Sequence, residues 1–384
     1  MKTKTERQLE AVSKWYVAKY GGFLFPTGFG KTYTAIQTVL RLKQDNLLEY
    51  GIIVIVPTIV LKEQWLKELA KFKVNANVMV INTASKLSNN YKCSLLIIDE
   101  AHSSLANTFI NVFANVEHNY LLWLTATIVR TDNRHDLLLA EAPVCDAITL
   151  QECLDNKWVS DFMVYNLAVP FTLEELAEYR KADNVFRYYA SLLGFSSFTT
   201  AKQWLTSGSS DQKAKAIIYY NSIRKRKNCI TNNSNKAKVT IDIINKFPED
   251  YTLVFSESIA FADSIKEQLS DICVSVHSKM SAKEQKEAFR LFKDGRTNKR
   301  VISSCKALTV GLDLPKLSLG IIASFNSSRL TNTQTIGRVI RPIESKQAKV
   351  INLVTPNTQE VNWLKKKIEG QINIKWIQSI EEII

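Results

Sequence analysis

Near the start of the chain, Phe25-Pro26-Thr27-Gly28-Phe29-Gly30-Lys31-Thr32 follows an apolar run and opens a segment of helical period. That is the context a phosphate loop needs. Glycines 28 and 30 let backbone N–H groups curl around phosphate oxygens, and the helix N-terminus adds the positive end of its dipole. Lys31 then reaches the β- and γ-phosphates, the Thr32 hydroxyl suits Mg2+, and Thr27 lies in the same cradle. The pattern G-x-x-x-x-G-K-[ST] is broken at its first position, where Phe25 stands in place of glycine. A chance glycine-rich turn is the rival reading of the loop taken alone.

A second cluster follows the run Leu95-Leu96-Ile97-Ile98, which ends in Asp99-Glu100-Ala101-His102. A buried strand here delivers two carboxylates to the rim of a sheet, where open α/β folds bind ligands. Asp99 suits Mg2+, partly through water, and Glu100 suits orienting and deprotonating an attacking water. His102 is equally readable as structural or functional. Near the other end of the chain, Gln334, Arg338 and Arg341 recur at i, i+4 and i+7, one face of a helix, with Ile336, Val339 and Ile340 on the other. Two arginines on one face suit a dense negative partner such as a γ-phosphate; a basic surface helix is the bland alternative. An ATP site split between PTGFGKT and QTIGRVIR is the expectation, with ATP and Mg2+ as its ligands.

The elements that must carry these groups show in the rhythm of the chain. From Phe23 to Leu124, short β-rich apolar runs (FLF, IIVIV, VMVI, LLII, YLLWL) alternate with helical segments, the pattern of a parallel sheet. A second series follows Phe247: TLVF, VSV, RVIS, LGII and KVINLV, with helices between them. An α/β fold of two parallel-sheet lobes in tandem is predicted, lobe one over residues 1–150 and lobe two over residues 236–384. Residues 151–235 read as a helical linker or insertion. Within it, the basic residues 224–227 are expected to be a solvated face or a nucleic-acid contact. Trp158, Phe186, Tyr188 and Trp204 are expected chiefly in cores, base stacking being the other use.

At 384 residues two domains are the natural prior. A net charge of +13 favours a polyanionic partner such as nucleic acid, excess lysine for solubility being the alternative. Six cysteines without a C-x-x-C pair, far in sequence from the four histidines, suggest neither a zinc module nor a disulfide framework. The polar start and the lack of a membrane-length apolar run lead to the expectation of a cytoplasmic protein; a monomer is the expected oligomeric state.

Taken together, the order and spacing of these motifs resemble the superfamily 2 helicases and translocases over essentially the whole chain. The resemblance implies two RecA-like lobes and an ATP-driven nucleic-acid motor, with lobe movement tied to hydrolysis. It makes Gln8 an adenine-reading residue and places Gly311 and Asp313 at the nucleotide. Pro57, Thr58, Gln64, Thr83, His102, Thr125, Thr127, Arg130 and Thr309 become nucleic-acid-facing or coupling positions. TATIVRTD at residues 125–132 is similar to the XPB type and to phage branch-migration helicases of the UvsW type, although Thr131 stands where XPB has glutamate. The resemblance implies action on forked or branched DNA, mainly through its backbone, by a compact phage-type motor without an N-terminal recognition domain. An RNA helicase and the motor subunit of a restriction or defence system stay open as alternatives. A non-hydrolysing scaffold is disfavoured by the full set of ATP-site residues.

Overall fold

The computed structural model describes residues 2–86, 91–104, 112, 115–128, 135–294, 296–305, 317–325, 347–368 and 372–384. They form two compact units that divide between Asp161 and Phe162. The first holds strands β1 (Tyr20–Leu24), β2 (Ile52–Val56), β3 (Asn77–Val80), β4 (Tyr91–Asp99), β5 (Val116–Thr125) and β6 (Val144–Ala147). Their order is β3-β2-β4-β5-β1-β6, with every pairing parallel. The helices are α1 (Lys4–Ala18), α2 (Lys31–Gln44), α3 (Ile59–Lys71), α4 (Ile81–Ala84), α5 (Ala101–Ser104), α6 (His135–Glu141) and α7 (Leu150–Asp155).

Strands buried on both faces read as unbroken apolar runs, and the two cores explain them. Ile52, Val54, Val56, Leu95, Ile97, Leu122 and Leu124 enter one core with residues of α1, α2 and α3. The alternate residues Ile53, Ile55, Leu96, Ile98, Leu121 and Trp123 enter the other. Each such side chain contributes about 1.5–3 kcal/mol on burial, so a one-residue register slip, which exchanges the faces, is strongly disfavoured. Gly22 is required by the approach of a neighbouring ring: a Cβ there would stand 1.9 Å from Trp123 Cδ2.

In the second unit the strands are β7 (Phe162–Ala168), β8 (Tyr251–Ser256), β9 (Cys273–His277), β10 (Val301–Cys305), β11 (Leu317–Ile322), β12 (Ala348–Val354) and β13 (Ile374–Ile377). Their order is β13-β7-β12-β11-β8-β10-β9. The helices are α8 (Leu173–Leu193), α9 (Ser197–Ser207), α10 (Ser210–Thr231), α11 (Ser234–Lys246), α12 (Ile259–Gln268), α13 (Ala282–Lys293) and α14 (Gln359–Ile368).

The segment read from sequence as a helical link is therefore divided. Helix α7 places Cys153 in the core of the first unit. Strand β7 joins the second sheet, pairing in parallel with β13. Only α8, α9 and α10 form the helical insertion, around a small core of Leu193, Ala201, Ala216 and Tyr219. Phe186 and Trp204 pack against that core, Trp158 is buried in the first unit, and Tyr188 is 61% exposed. Arg226 lies over the Phe186 ring and 2.8 Å from Asp183, and Lys227 pairs with Glu257. Arg224 and Lys225 are exposed, so half of the basic run is paired rather than solvated.

One buried ion pair organises the second unit. Lys236 and Glu360 have no exposed side-chain surface and meet at 2.6 Å. Lys236 also donates to the Ala323 carbonyl at 2.8 Å, and Glu360 accepts from the N–H groups of Thr355 and Phe325. The exit of β11 is thereby tied to α11 and α14. Removing one partner leaves a buried charge uncompensated, at a cost of about 3–5 kcal/mol. Lys236→Ala is expected to lower unfolding free energy by that amount in urea titration. The double variant Lys236→Met/Glu360→Leu should recover most of it, and a single-variant loss below about 1 kcal/mol would contradict this account.

Candidate active site

The ends of three neighbouring strands define the site. Leu24 of β1 pairs with Thr125 of β5, and Leu124 of β5 pairs with Asp99 of β4. The loop after β1, the Thr125–Thr127 corner and the Asp99–Glu100 pair thus emerge at one level on one rim of the sheet, where parallel α/β sheets take ligands.

The loop from Phe25 to Gly30 leads into α2. Gly28 and Gly30 have φ of +90° and +101°, and a Cβ on Gly30 would stand 2.5 Å from Gln8 Nε2. Gly30 is the N-cap of α2 and supplies no side-chain hydrogen bond. The orphan donors and positive dipole end of the helix are thus available to an anion. Two residues one turn apart on α1 clamp the loop: Lys4 Nζ donates to the Gly28 carbonyl at 2.8 Å, and Gln8 Nε2 to that of Phe29 at 2.7 Å. Lys31 Nζ lies 3.9 Å from Glu100 Oε1.

Phe25, at the departure from the loop pattern, has a packing reason. It stacks on Phe23 with centroids 5.0 Å apart and meets Phe29 edge-on at 5.1 Å; Phe29 in turn meets Trp158 at 5.5 Å. Its own N–H donates to the Thr125 carbonyl, so the backbone there is still strand-like and needs no glycine.

Asp99 is 3% exposed. Its Oδ2 accepts from Trp65 Nε1 at 2.7 Å and its Oδ1 from the Glu100 N–H at 2.8 Å. Burial, and next the Glu100 charge, push its pKa up to about 6, while Lys31 and the two donors pull it down. Glu100 sits at φ +50°, a left-handed conformation costing roughly 1–2 kcal/mol in a non-glycine residue. The turn redirects the chain between two adjacent carboxylates. His102 is buried; its Nδ1 lies 2.7 Å from Thr125 Oγ1 and 3.4 Å from Glu100 Oε2. The Thr125 hydroxyl donates to the Thr127 carbonyl at 2.7 Å, so its bond with His102 has the imidazole Nδ1–H as donor. A hydrogen-bond chain His102–Thr125–Thr127 results, with Glu100 Oε2 beside the same ring nitrogen.

The first unit thus gathers Gln8, Thr27, Gly28, Gly30, Lys31, Thr32, Asp99, Glu100, His102, Thr125 and Thr127 around the strand ends. Thr58 caps α3, accepting from the Leu61 N–H, with Pro57 before it and Gln64 half-buried on the helix; Thr83 is exposed in α4. Arg130, Thr309, Gly311, Asp313, Gln334, Arg338 and Arg341 lie outside the described residues. Sequence reasoning missed Lys4 as a loop clamp and Trp65 as the partner of Asp99. It also missed Arg7, nearly buried and bonded to Asp146, which anchors α1 to β6. The i, i+4 spacing of Lys4 and Gln8 was the available signal for the clamp.

Comparison with known proteins bears on this geometry. Residues 2–94 and 78–130 match the family described as type III restriction enzyme, res subunit, and residues 235–342 match the helicase conserved C-terminal domain. The DNA 3'-5' translocase XPB2 of Sulfurisphaera tokodaii is 24% identical over 385 residues, covering 94% of this chain and 84% of that protein. Among solved structures, S. cerevisiae Dbp5 bound to RNA and ADP BeF3 superposes with a TM-score of 0.63 at 14% identity, covering 97% of this chain and 88% of that one. An ATP-dependent type ISP restriction-modification enzyme, LlaBIII, bound to DNA gives 0.61 at 15% identity, covering 98% of this chain and 31% of that one. The fold shared with these neighbours is two parallel-sheet α/β units of RecA-like type. The chain belongs to the superfamily 2 helicases and translocases, in their XPB-like branch. Membership makes it a nucleic-acid-dependent ATPase.

Restoring the glycine of the general loop pattern is expected to harm the protein. Phe25→Gly removes a buried ring at a cost of about 3–5 kcal/mol and should not tighten nucleotide binding. Thermal unfolding and titration with a fluorescent ATP analogue check both; tighter binding without loss of stability would refute the packing explanation.

Proposed function

We propose that the chain is an ATP- and Mg2+-dependent DNA translocase that remodels forked or branched DNA. The observation that carries the catalytic reading is the convergence of Lys31, Asp99 and Glu100 at the ends of adjacent strands. The glycine cradle, the uncapped N-terminus of α2 and Lys31 fit a triphosphate, and the buried carboxylate of Asp99, with the Thr32 hydroxyl at the start of α2, fits a hard dication. Thr32 and Asp99 are assigned to hold Mg2+, which when bound supplies charge neutralisation at the phosphates. Lys31 is assigned to the β- and γ-phosphates, with Thr27, Gly28 and Gly30 as backbone contacts. Glu100 orients water and takes its proton, and His102, bonded to the Thr125–Thr127 corner, sits beside the Glu100 side chain. Gln8 gives one amide N–H to Phe29, which orients the amide and keeps Oε1 as an acceptor suited to the adenine amino group. Gln334, Arg338 and Arg341, on one face by spacing, are assigned to the γ-phosphate, together with Gly311 and Asp313 near the nucleotide.

DNA as the track is supported by the net charge of +13 and by the name of the Sulfurisphaera relative. Pro57, Thr58, Gln64, Thr83, Arg130 and Thr309 are assigned to contact it or to couple it to hydrolysis. The helical insertion adds exposed rings at Tyr188, Phe195 and Phe198 among basic residues such as Lys202, Lys213 and Lys215. Rings and cations together suit unpaired bases and their phosphates. The forked or branched preference rests on the UvsW-like resemblance of residues 125–132.

ATP turnover should rise on adding DNA more than on adding RNA. Glu100→Gln is expected to cut turnover by about 100-fold or more while sparing ATP binding, and Lys31→Ala to lose both. Equal turnover with and without nucleic acid, or wild-type hydrolysis by Glu100→Gln, would contradict the assignment. Processing of synthetic duplexes, forks and four-way junctions, scored for strand products, separates branch remodelling from simple tracking. A Phe195→Ala/Phe198→Ala variant should lose preference for forks before it loses duplex binding.

A further inference from the structure

Trp65 is wholly buried on α3, and an indole N–H in that position needs an acceptor. The acceptor is the carboxylate of Asp99, 34 positions away in sequence. Of the two Asp99 oxygens, one is held by the N–H of the next residue and the other by α3. Orientation of the carboxylate thus depends on an element outside its own strand.

Helix α3 begins at the Thr58 cap directly after Pro57, and its first residue, Ile59, is 68% exposed. Leu61, Trp65 and Leu69 form its buried stripe. From Thr58 to Trp65 is two turns of rigid helix, about 10 Å. Displacing that rod by about 1 Å would carry a 2.7 Å hydrogen bond past the distance at which it holds.

We propose that Trp65 is a positioning residue that couples a nucleic-acid strand at the N-terminal end of α3 to the orientation of Asp99, and so to Mg2+ binding. The inference rests on the roles proposed above for Asp99, Pro57 and Thr58. A filler ring would have needed no acceptor, and Phe would serve in its place; the indole adds one directed donor to an otherwise apolar stripe.

The test compares the full wild-type chain with Trp65→Phe, which keeps ring packing and removes the donor. Affinity for a fluorescent ATP analogue is measured in Mg2+ and in EDTA, and turnover with and without duplex DNA. Trp65→Phe should bind the analogue normally in EDTA, lose about tenfold of the gain that Mg2+ confers, and lose about tenfold in the ratio of DNA-stimulated to basal turnover, equivalent to about 1.4 kcal/mol of coupling. Trp65→His, which retains a ring N–H, should recover part of that ratio and serves as the donor comparison should Trp65→Phe fail to fold. Equal falls in basal and stimulated turnover, or no fall in either, would overturn the coupling. Asp99→Asn is run alongside: if it keeps the full Mg2+ gain, the reading of Asp99 as a metal ligand fails and takes the inference with it. If Asp99→Asn loses the gain while Trp65→Phe keeps a wild-type ratio, that reading stands and the coupling alone is refuted.

Discussion

The register of β1, β5 and β4 is the constraint on which the site depends. Leu24 opposite Thr125 and Leu124 opposite Asp99 bring the phosphate loop, the Thr125–Thr127 corner and the carboxylates to one edge. Nothing in the local sequence of the phosphate loop could do this, because register is a property of the sheet. It is enforced by the division of alternate residues between two cores and by the Trp123 ring occupying the space over Gly22. A side chain at position 22 would force β1 and β5 apart and move the loop relative to Asp99. The glycine most important to alignment thus lies outside the loop that contains the glycines of the motif.

The two units use the same electrostatics for different ends. Lys236 and Glu360 are buried together, and hydrogen bonds from and to the backbone surround the pair; burial pulls the Lys236 pKa below the usual lysine value, and Glu360 offsets that only in part. The group is closed, and its work is to fix the exit of β11. Around Asp99 the balance is left open. Burial and the Glu100 charge raise its pKa, and Lys31, Trp65 and one backbone N–H only partly offset them. A carboxylate in that state gains from any further positive charge brought beside it.

How far the fold was legible follows from where its signals lie. The apolar runs of β2 and β4 and the helical segments behind them are visible because both strand faces are buried and the motifs punctuate their ends. Strand β7 is just as apolar, yet it lies in a stretch whose helical periodicity dominates, and its partner β13 is over 200 residues away. A run of seven residues, apolar except for Asn166 and bounded by Asp161 and Val169-Pro170, was the missed cue. Lys31, Asp99 and Glu100 could be read from type and spacing. The Lys4–Gln8 clamp and the Trp65–Asp99 bond could not, since each joins elements that only the sheet brings together. Phe25 shows the converse: a motif departure that looked like a defect is an aromatic contact with Phe23 and Phe29.

Adjacent carboxylates would ordinarily compete for the same counter-charge, and the backbone separates them here. Asp99 completes its strand and takes a donor from Trp65, which belongs to the core on one face of the sheet. The left-handed turn at Glu100 then reverses direction, Ala101 enters the core on the opposite face, and the Glu100 side chain comes to Lys31 and His102. The strain at Glu100 is what gives neighbouring residues separate surroundings, Asp99 bonded to α3 and Glu100 set beside Lys31 and His102. A glycine would relieve the strain and remove the carboxylate. A residue confined to the β region would keep the strand running and deny the next side chain its approach to Lys31. The geometry therefore selects a flexible acidic residue at the one position where the backbone turns, and the motif Asp-Glu-Ala-His is the sequence trace of that turn.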